Sequence, residues 1–205
     1  MAIPDLDYLK QRKQGILGEN QSFRSAVLLP LLDIKGETCI LFEKRAADLK
    51  AQPGEICFPG GAIEGSDPSP AQAAIRETSE ELNIAADEIE IIAPLDIMVS
   101  PFNAIVYPFA GLIQNPNNIN PNQCEVEEIF CVPLQHLLDQ DPLKYNISLT
   151  VVIPEDYPYE LVPGGKNYPY RMGKMPQQFY FWEDRIIWGM TARILHHFLD
   201  LIRSK

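Results

Sequence analysis

Long apolar runs are missing from this chain. Of its 205 residues 46% are hydrophobic, yet no stretch of about 18 consecutive apolar residues occurs, which excludes a membrane-spanning helix and implies a soluble protein with a real core. The opening residues, Met-Ala-Ile-Pro-Asp-Leu-Asp, lack the apolar segment of a secretory leader, so the expected location is cytoplasmic. Cysteine is scarce and unpatterned. Cys39, Cys57, Cys124 and Cys131 form no C-x-x-C pair and read as small buried hydrophobes in a reducing compartment, not as a zinc site or a disulfide framework. Histidine is scarcer still: His196 and His197 are adjacent on an expected helix and diverge by about 100°, and His136 stands alone, so no histidine metal site is implied. Positive charge is also short, with 17 Lys and Arg against 28 Asp and Glu. The resulting net charge of −11 argues against nucleic-acid or anionic-membrane partners. No Ser-His-Asp or Cys-His arrangement stands out, so attack by water is preferred to a covalent route.

What the chain does have is concentrated between Phe58 and Ile84. A glycine pair, Gly60-Gly61, precedes a short helix bracketed by clear signals: Ser69 as N-cap, Pro70 at the first helical position, Gln72 completing a capping box, and Asn83 tolerating the left-handed C-terminal cap. Ala71, Ile75, Thr78 and Leu82 repeat at helical spacing and form the expected buried stripe. Glu77, Glu80 and Glu81 stand at i, i+3 and i+4 and share a second face. Three like charges at that spacing repel by a few tenths of a kcal/mol per pair, and a hard divalent cation, Mg²⁺ or Mn²⁺, reverses the sign of that interaction. For an isolated E-x-x-E-E a solvated acidic face is the commoner outcome; here the glycine pair, Arg76 directly before the acids and the helix stop straight after them favour a metal site.

This stretch resembles the Nudix hydrolase box, G-x5-E-x7-R-E-U-x-E-E-x-G-U with U aliphatic, through Gly61, Arg76, Glu77, Glu80, Glu81 and Ile84. Asp67 stands in place of the first Glu and is followed by one extra residue before Arg76; Thr78 replaces an aliphatic residue and Asn83 the final Gly. The Asp with its insertion is similar to the coenzyme A pyrophosphatase subgroup. So is the segment upstream, where Arg45, Ala46, Gly54 and Phe58-Pro59-Gly60-Gly61 match the subgroup's signature and Lys50 replaces a second Arg. Lys keeps the charge but loses the planar fork. The closing segment from Ile187 to Leu195 is similar to the same subgroup.

The resemblance implies an α/β protein, a Nudix-type α/β/α sandwich with a mixed β-sheet, that hydrolyses a diphosphate with Mg²⁺ or Mn²⁺. Glu77 and Glu81 are then the principal metal ligands and Glu80 a third, with Arg76 holding a glutamate in place by a salt bridge. A loop acid also reaches the metal site in this family, and Glu125 is the first choice, with Glu127 and Glu128 as alternatives; Glu125 acts as ligand or general base, or Glu81 is the base instead. Gly60 and Gly61 let the backbone bend beside the metal. Arg45 and Lys50 contact the ligand on the strength of the resemblance alone. The implied substrate is coenzyme A or a derivative, cleaved to 4′-phosphopantetheine and 3′,5′-ADP. Another nucleoside diphosphate derivative is the alternative substrate, and a non-catalytic ligand-binding module the alternative class.

Along the rest of the chain, strands are expected at Ser25–Leu32, with Pro30 limiting its pairing, and at Cys39–Glu43, 88–99, Ala104–Ile113, 126–134, 147–153 and 179–182. Short helices are expected over 5–14 and from Pro133, and a final helix over 186–202 with Trp188 in the core. The Asn-rich stretch Asn115–Asn122 must be a loop. The whole, residues 1–205, is expected to be a single domain carrying a Pro- and Tyr-rich loop over 154–178. That loop gathers Lys166, Arg171 and Lys174, which either decorate a long hairpin connection or form a lid over an anionic, aromatic ligand. Aromatics near the C-terminus permit a homodimer without requiring one.

Overall fold

Turn and cap residues decide where the elements begin and end. In a computed structural model, which describes residues 7–204 with side chains from residue 9, the order is β1 (Phe23–Ile34), β2 (Glu37–Arg45), β3 (Ile56–Cys57), β4 (Gly60–Ala62), α1 (Pro70–Leu82), β5 (Ile89–Pro94), β6 (Met98–Ser100), β7 (Ala104–Ile113), β8 (Val126–Pro133), α2 (Leu134–Asp139), β9 (Leu143–Leu149), β10 (Gly173–Trp182), β11 (Arg185–Ile187) and α3 (Gly189–Arg203). A single 3-10 turn, Asp7–Gln11, takes the place of the charged helix expected over 5–14. Residues 5 and 6 of that helix, and most of the stretch read for a leader, lie outside the described residues. Lys35 and Gly36 both take positive φ, and Asp33 Oδ1 accepts the Gly36 N–H at 2.7 Å, which fixes the expected turn after β1. Among the described residues no helix is long and apolar enough to cross a membrane.

The chain divides into two compact units, one built from the residues up to Leu32 and Phe58–Asn122, the other from Asp33–Cys57 and the residues from Gln123 on. In the first, β1 runs parallel to β7, from Phe23 opposite Ala104 to Leu31 opposite Leu112. Strand β4 joins β1, and β5 and β6 join β7, all antiparallel, so the sheet is mixed and the protein is α/β as expected. A parallel pair needs a crossover connection, and α1 lies in it, packed on β4, β5 and β7. Ala73 and Ala74 are fully buried with Ala26 of β1, alongside Ile63, Tyr107 and Phe109. Three alanines at this contact leave no side-chain bulk between helix and strand. Pro30 does not end β1: it sits opposite Gly111 and the strand continues to Ile34. The strand expected over 88–99 is two, β5 and β6.

In the second unit β2 pairs with β8 and β3, and Phe42 stacks on Phe130 at 5.5 Å between ring centres. Strands β9, β10 and β11 form a separate antiparallel sheet on which α3 packs. Here the sequence expectations shift. Strand β9 ends at Leu149, and β10 starts at Gly173 because seven residues from Gly173 to Phe179 pair with β9 without a break. The irregular stretch is therefore 150–172 and not 154–178. Helix α3 begins at Gly189, not at 186, because Ile186 and Ile187 pair with Phe181 and Tyr180. Trp188 is exposed beside Phe179, not in the core. Of the four cysteines only Cys39 is buried, and Cys124 is exposed.

One acid in β2 is fully enclosed. Glu43 accepts a hydrogen bond from Cys57 Sγ at 3.3 Å on Oε1, while Oε2 has no hydrogen-bond partner among the described residues. Burial raises its pKa from 4.5 to about 7, against the pull of the Cys57 hydrogen bond and of Arg45. Below the lower value the carboxyl is protonated both folded and unfolded. Between the two the unfolded chain ionises first, so stability falls as pH rises, and the loss is complete above about 7. Its full size is about 3 kcal/mol. Glu43→Gln is expected to remove this slope and to be the more stable chain at about pH 8. Urea midpoints measured for both chains across the window check it; parallel pH profiles would refute the assignment.

Candidate active site

Helix α1 forms where its caps predict. Ser69 sits in extended backbone and its side chain accepts the Gln72 N–H at 3.3 Å, Pro70 opens the helix, and Asn83 closes it in the left-handed region. Its last carbonyls are met by the Asn-rich loop: Asn120 N–H donates to Leu82 O at 3.0 Å and Asn122 N–H to Glu81 O at 2.8 Å. Asn83 Nδ2 returns a bond to Asn120 O at 2.9 Å.

The buried face of α1 differs in phase from the expected stripe. Ala73, Ala74, Thr78, Glu81 and Leu82 are buried, whereas Ala71 and Ile75 are only partly covered. The rotation carries Glu81 inward to 5% exposure, where its Oε2 accepts the Gly60 N–H at 2.8 Å. Backbone donation to a carboxylate is a charge-assisted bond of the stronger kind. Glu80 stays outside, with its side chain 56% exposed, and Glu77 lies between the two. The three acids thus share a ridge but not an environment.

Arg76 organises the ridge. Its Nε and Nη2 bind the two oxygens of Asp67, each at 3.0 Å, in a fork-to-fork pair. Nη1 donates to Glu77 Oε1 at 2.9 Å and to Glu80 Oε2 at 3.2 Å, and Nη2 also donates to Ala62 O at 3.1 Å. Asp67 Oδ2 accepts in addition the Glu64 N–H at 2.8 Å. The Arg76 guanidinium, aided by that N–H, holds the Asp67 carboxyl below the usual carboxylate range, and Asp67 in turn raises Arg76. Asp67, a departure from the box in sequence, is the partner that fixes Arg76; no periodicity announces that role.

The glycine pair has two separate jobs. At Gly60, φ is 149° and an added Cβ would run into Ala26 O and Val27 Cα, which are backbone. At Gly61 the same atom would fall on the carboxylate of Glu77, so the missing side chain is what gives that carboxylate its place.

The other candidates belong to the second unit. Arg45 accepts the Gly54 N–H at 3.1 Å on its carbonyl and donates from Nε to Ala51 O at 3.3 Å, closing the 46–55 loop, in which Lys50 is exposed. Glu125 is exposed and its carbonyl accepts the Ala46 N–H at 2.8 Å. Its alternatives are ion-paired, Glu127 with Lys44 and Glu128 with Arg185. Lys166 Nζ lies 5.6 Å from the centre of the Tyr159 ring, Arg171 is exposed, and Lys174 is on β10. The loop tyrosines pack as pairs, Tyr157 with Tyr159 and Tyr168 with Tyr170. A cavity of about 300 Å³ beside Trp188 carries Lys44 and Arg185 but also Glu55, Glu128 and Asp184, a balance unsuited to a phosphate.

Nudix hydrolases generally use divalent metal ions. Among the described residues no three His, Cys, Asp or Glu side chains gather closely enough to hold an ion as they stand; Glu77 and Glu80 turn to Arg76. The donor chemistry nevertheless suits a hard divalent cation. Three carboxylates surround one guanidinium, Glu81 follows on the same helix, and Gly61 leaves a cradle that a Cβ would fill.

Residues 22–151 match the family model of the NUDIX domain. A protein of Photorhabdus laumondii named uncharacterized Nudix hydrolase NudL is 28% identical over 181 residues, 87% of this chain and 84% of that one. The mouse peroxisomal coenzyme A diphosphatase NUDT7 is 36% identical over 117 residues, 57% of this chain and 50% of that protein. The human mitochondrial coenzyme A diphosphatase NUDT8 is 37% identical over 126 residues, 60% of this chain and 53% of that protein. The chain is thus matched to about half the length of these two relatives.

The two glycines should respond differently to alanine. Gly60→Ala meets backbone at a φ that L residues avoid and is expected to cost about 2 kcal/mol or more. Gly61→Ala meets only the end of a flexible side chain, so it should displace Glu77 from Arg76 at under about 1 kcal/mol. Thermal unfolding of both variants checks the contrast, and equal losses would contradict it.

Proposed function

The chain belongs to the Nudix hydrolase family, and from that premise we propose that it cleaves the diphosphate of coenzyme A or a derivative of it. Its general activity is that of a pyrophosphohydrolase. The observation that carries the catalytic part is the ridge itself: Arg76 held by Asp67, Glu77 and Glu80 turned toward it, and Glu81 seated on the Gly60 N–H. The coenzyme A part is supported by the two named diphosphatases and by the segment Arg45, Ala46, Gly54 and Phe58 to Gly61. Gly54 has φ 70°, a conformation that favours glycine, and its N–H closes the loop on Arg45.

In this reading Glu77, Glu80 and Glu81 hold Mg²⁺ or Mn²⁺. When bound, the ion neutralises charge on the diphosphate oxygens and makes water a better nucleophile. Arg76, held by Asp67, offsets the repulsion between Glu77 and Glu80 before the ion arrives. The Gly60 N–H fixes the Glu81 carboxylate, which takes the proton from attacking water, with Glu125 as the alternative acceptor. Water adds to one phosphorus, the bridging P–O bond breaks, and 4′-phosphopantetheine and 3′,5′-ADP leave. Arg45 and Lys50, with Lys166 and Arg171 of the loop, supply the positive charge that a substrate so anionic needs beside an acidic chain. The reading treats residues 1–205 as one Nudix domain working in the cytoplasm.

A substrate panel tests it. Coenzyme A, NADH and ADP-ribose are offered in parallel with Mg²⁺ and with Mn²⁺, and coenzyme A is expected to be turned over best. A chelator should abolish the activity and added metal restore it. Glu81→Gln keeps an acceptor for the Gly60 N–H but loses the charge, and should reduce kcat by about 10² to 10⁴. Preference for ADP-ribose would overturn the coenzyme A assignment, and no turnover of any substrate would favour a binding module. Unchanged KM for coenzyme A in Lys166→Ala and Arg171→Ala would remove the loop from the site.

A further inference from the structure

Strand β9 is an open edge. In the order β11-β10-β9 it pairs with β10 alone among the described residues, and every residue from Leu143 to Ser148 is exposed. Natural edge strands are blunted by proline, bulges, extreme shortness, charged side chains or a covering element. Here the seven pairs with β10 run without a register shift, no proline interrupts 143–149, and Lys144 is the one charged residue. The outward face is also apolar. Leu143, Tyr145 and Ile147 alternate along the strand at 51%, 62% and 48% exposure. They continue into Phe179 and Phe181 of β10 and Ile186 of β11, which share their face by register. Tyr145 packs edge-on against Phe179 at 6.1 Å, and Phe179 stacks on Trp188 at 6.4 Å.

We propose that this edge is the contact between two copies of the chain, with β9 pairing antiparallel to the partner's β9 about a twofold axis at Asn146. The order Leu-Lys-Tyr-Asn-Ile-Ser-Leu is what selects a second copy over a foreign strand. The one register that pairs all seven residues sets Leu143 opposite the partner's Leu149, Tyr145 opposite the partner's Ile147 and Lys144 opposite the partner's Ser148. Apolar residues meet apolar ones on one face, polar ones meet on the other, and no like charges face each other. A contact between identical patches has to be self-complementary in this way. The two three-stranded sheets then form one of six strands, and backbone groups along both edges find partners.

Net charge opposes the pairing only at long range. Each chain carries −11, but repulsion is screened beyond about 8 Å at physiological salt, and the edge itself holds no acid. The dimer is therefore expected to strengthen as salt rises from about 0.01 M to 0.15 M, opposite to a contact made by ion pairs. The inference is independent of the substrate assigned above.

Sedimentation measured against concentration tests it on the full chain. The parent is expected to dimerise. Asn146→Lys and Asn146→Glu each set like charges against themselves at the axis and should weaken the dimer by roughly tenfold. Mixing the two variants sets opposite charges there and should restore association. A parent that stays monomeric at about 0.1 mM, variants with unchanged affinity, or a mixture no tighter than its parts would each overturn the proposal.

Discussion

The ridge depends on one guanidinium. Glu77, Glu80 and Glu81 crowd a short helix in a chain carrying −11, and Arg76 offsets the repulsion between Glu77 and Glu80 before any cation neutralises it. An exposed pair of this kind is worth little, because both ends pay side-chain entropy and salt screens them. Arg76 is not so placed: it is partly covered, it meets the nearly buried Asp67 through two parallel bonds, and the Ala62 carbonyl takes a further one of its protons. With its orientation set by Asp67, it presents a fixed charge to Glu77 and Glu80. The geometry is that of a brace, in which the inner acid anchors the cation and the outer acids lean on it.

The backbone does the rest. A glutamate at 5% exposure is tolerable because a peptide N–H points at it, and that N–H belongs to Gly60, whose φ no other residue would accept at that distance from β1. The next glycine makes room for a second carboxylate. Two adjacent residues of one type are thus constrained for different reasons, one by its own conformation and the other by what its neighbour needs.

Much of this was legible in the residues. Ser69, Pro70 and Asn83 place both ends of α1 because capping is a local matter of one side chain and one or two backbone groups. The acids, Arg76 and the glycine pair declared themselves by spacing. The burial of Glu81 did not, because apolar periodicity fixes a helix's phase only to within a residue or so, and Ala71 and Ile75 fit the pattern as well as Ala73 and Ala74 do. Small alanines decide it, through how closely the helix approaches Ala26. Nor could spacing show that Asp67 grips Arg76, which depends on the turn between them. The late strands depart from their local pattern for a similar reason. Pairing carries β10 back through Pro176 to Gly173, overriding the local signs of a loop, and it holds Ile186 and Ile187 out of the helix their pattern suggests.

The candidate residues are divided between the two units. The acids of the ridge lie in one compact unit, while Arg45, Gly54 and Glu125 lie in the other, and the chain passes between the units at Cys57-Phe58, directly before Pro59, Gly60 and Gly61. Cys57 is tied by its sulfur to Glu43, a carboxyl whose burial leaves it ready to change charge near neutral pH. A buried acid with one oxygen unpartnered is a costly feature in a strand that otherwise needs only apolar packing. That cost is borne within the second unit, where Glu43, Arg45 and Cys57 all lie.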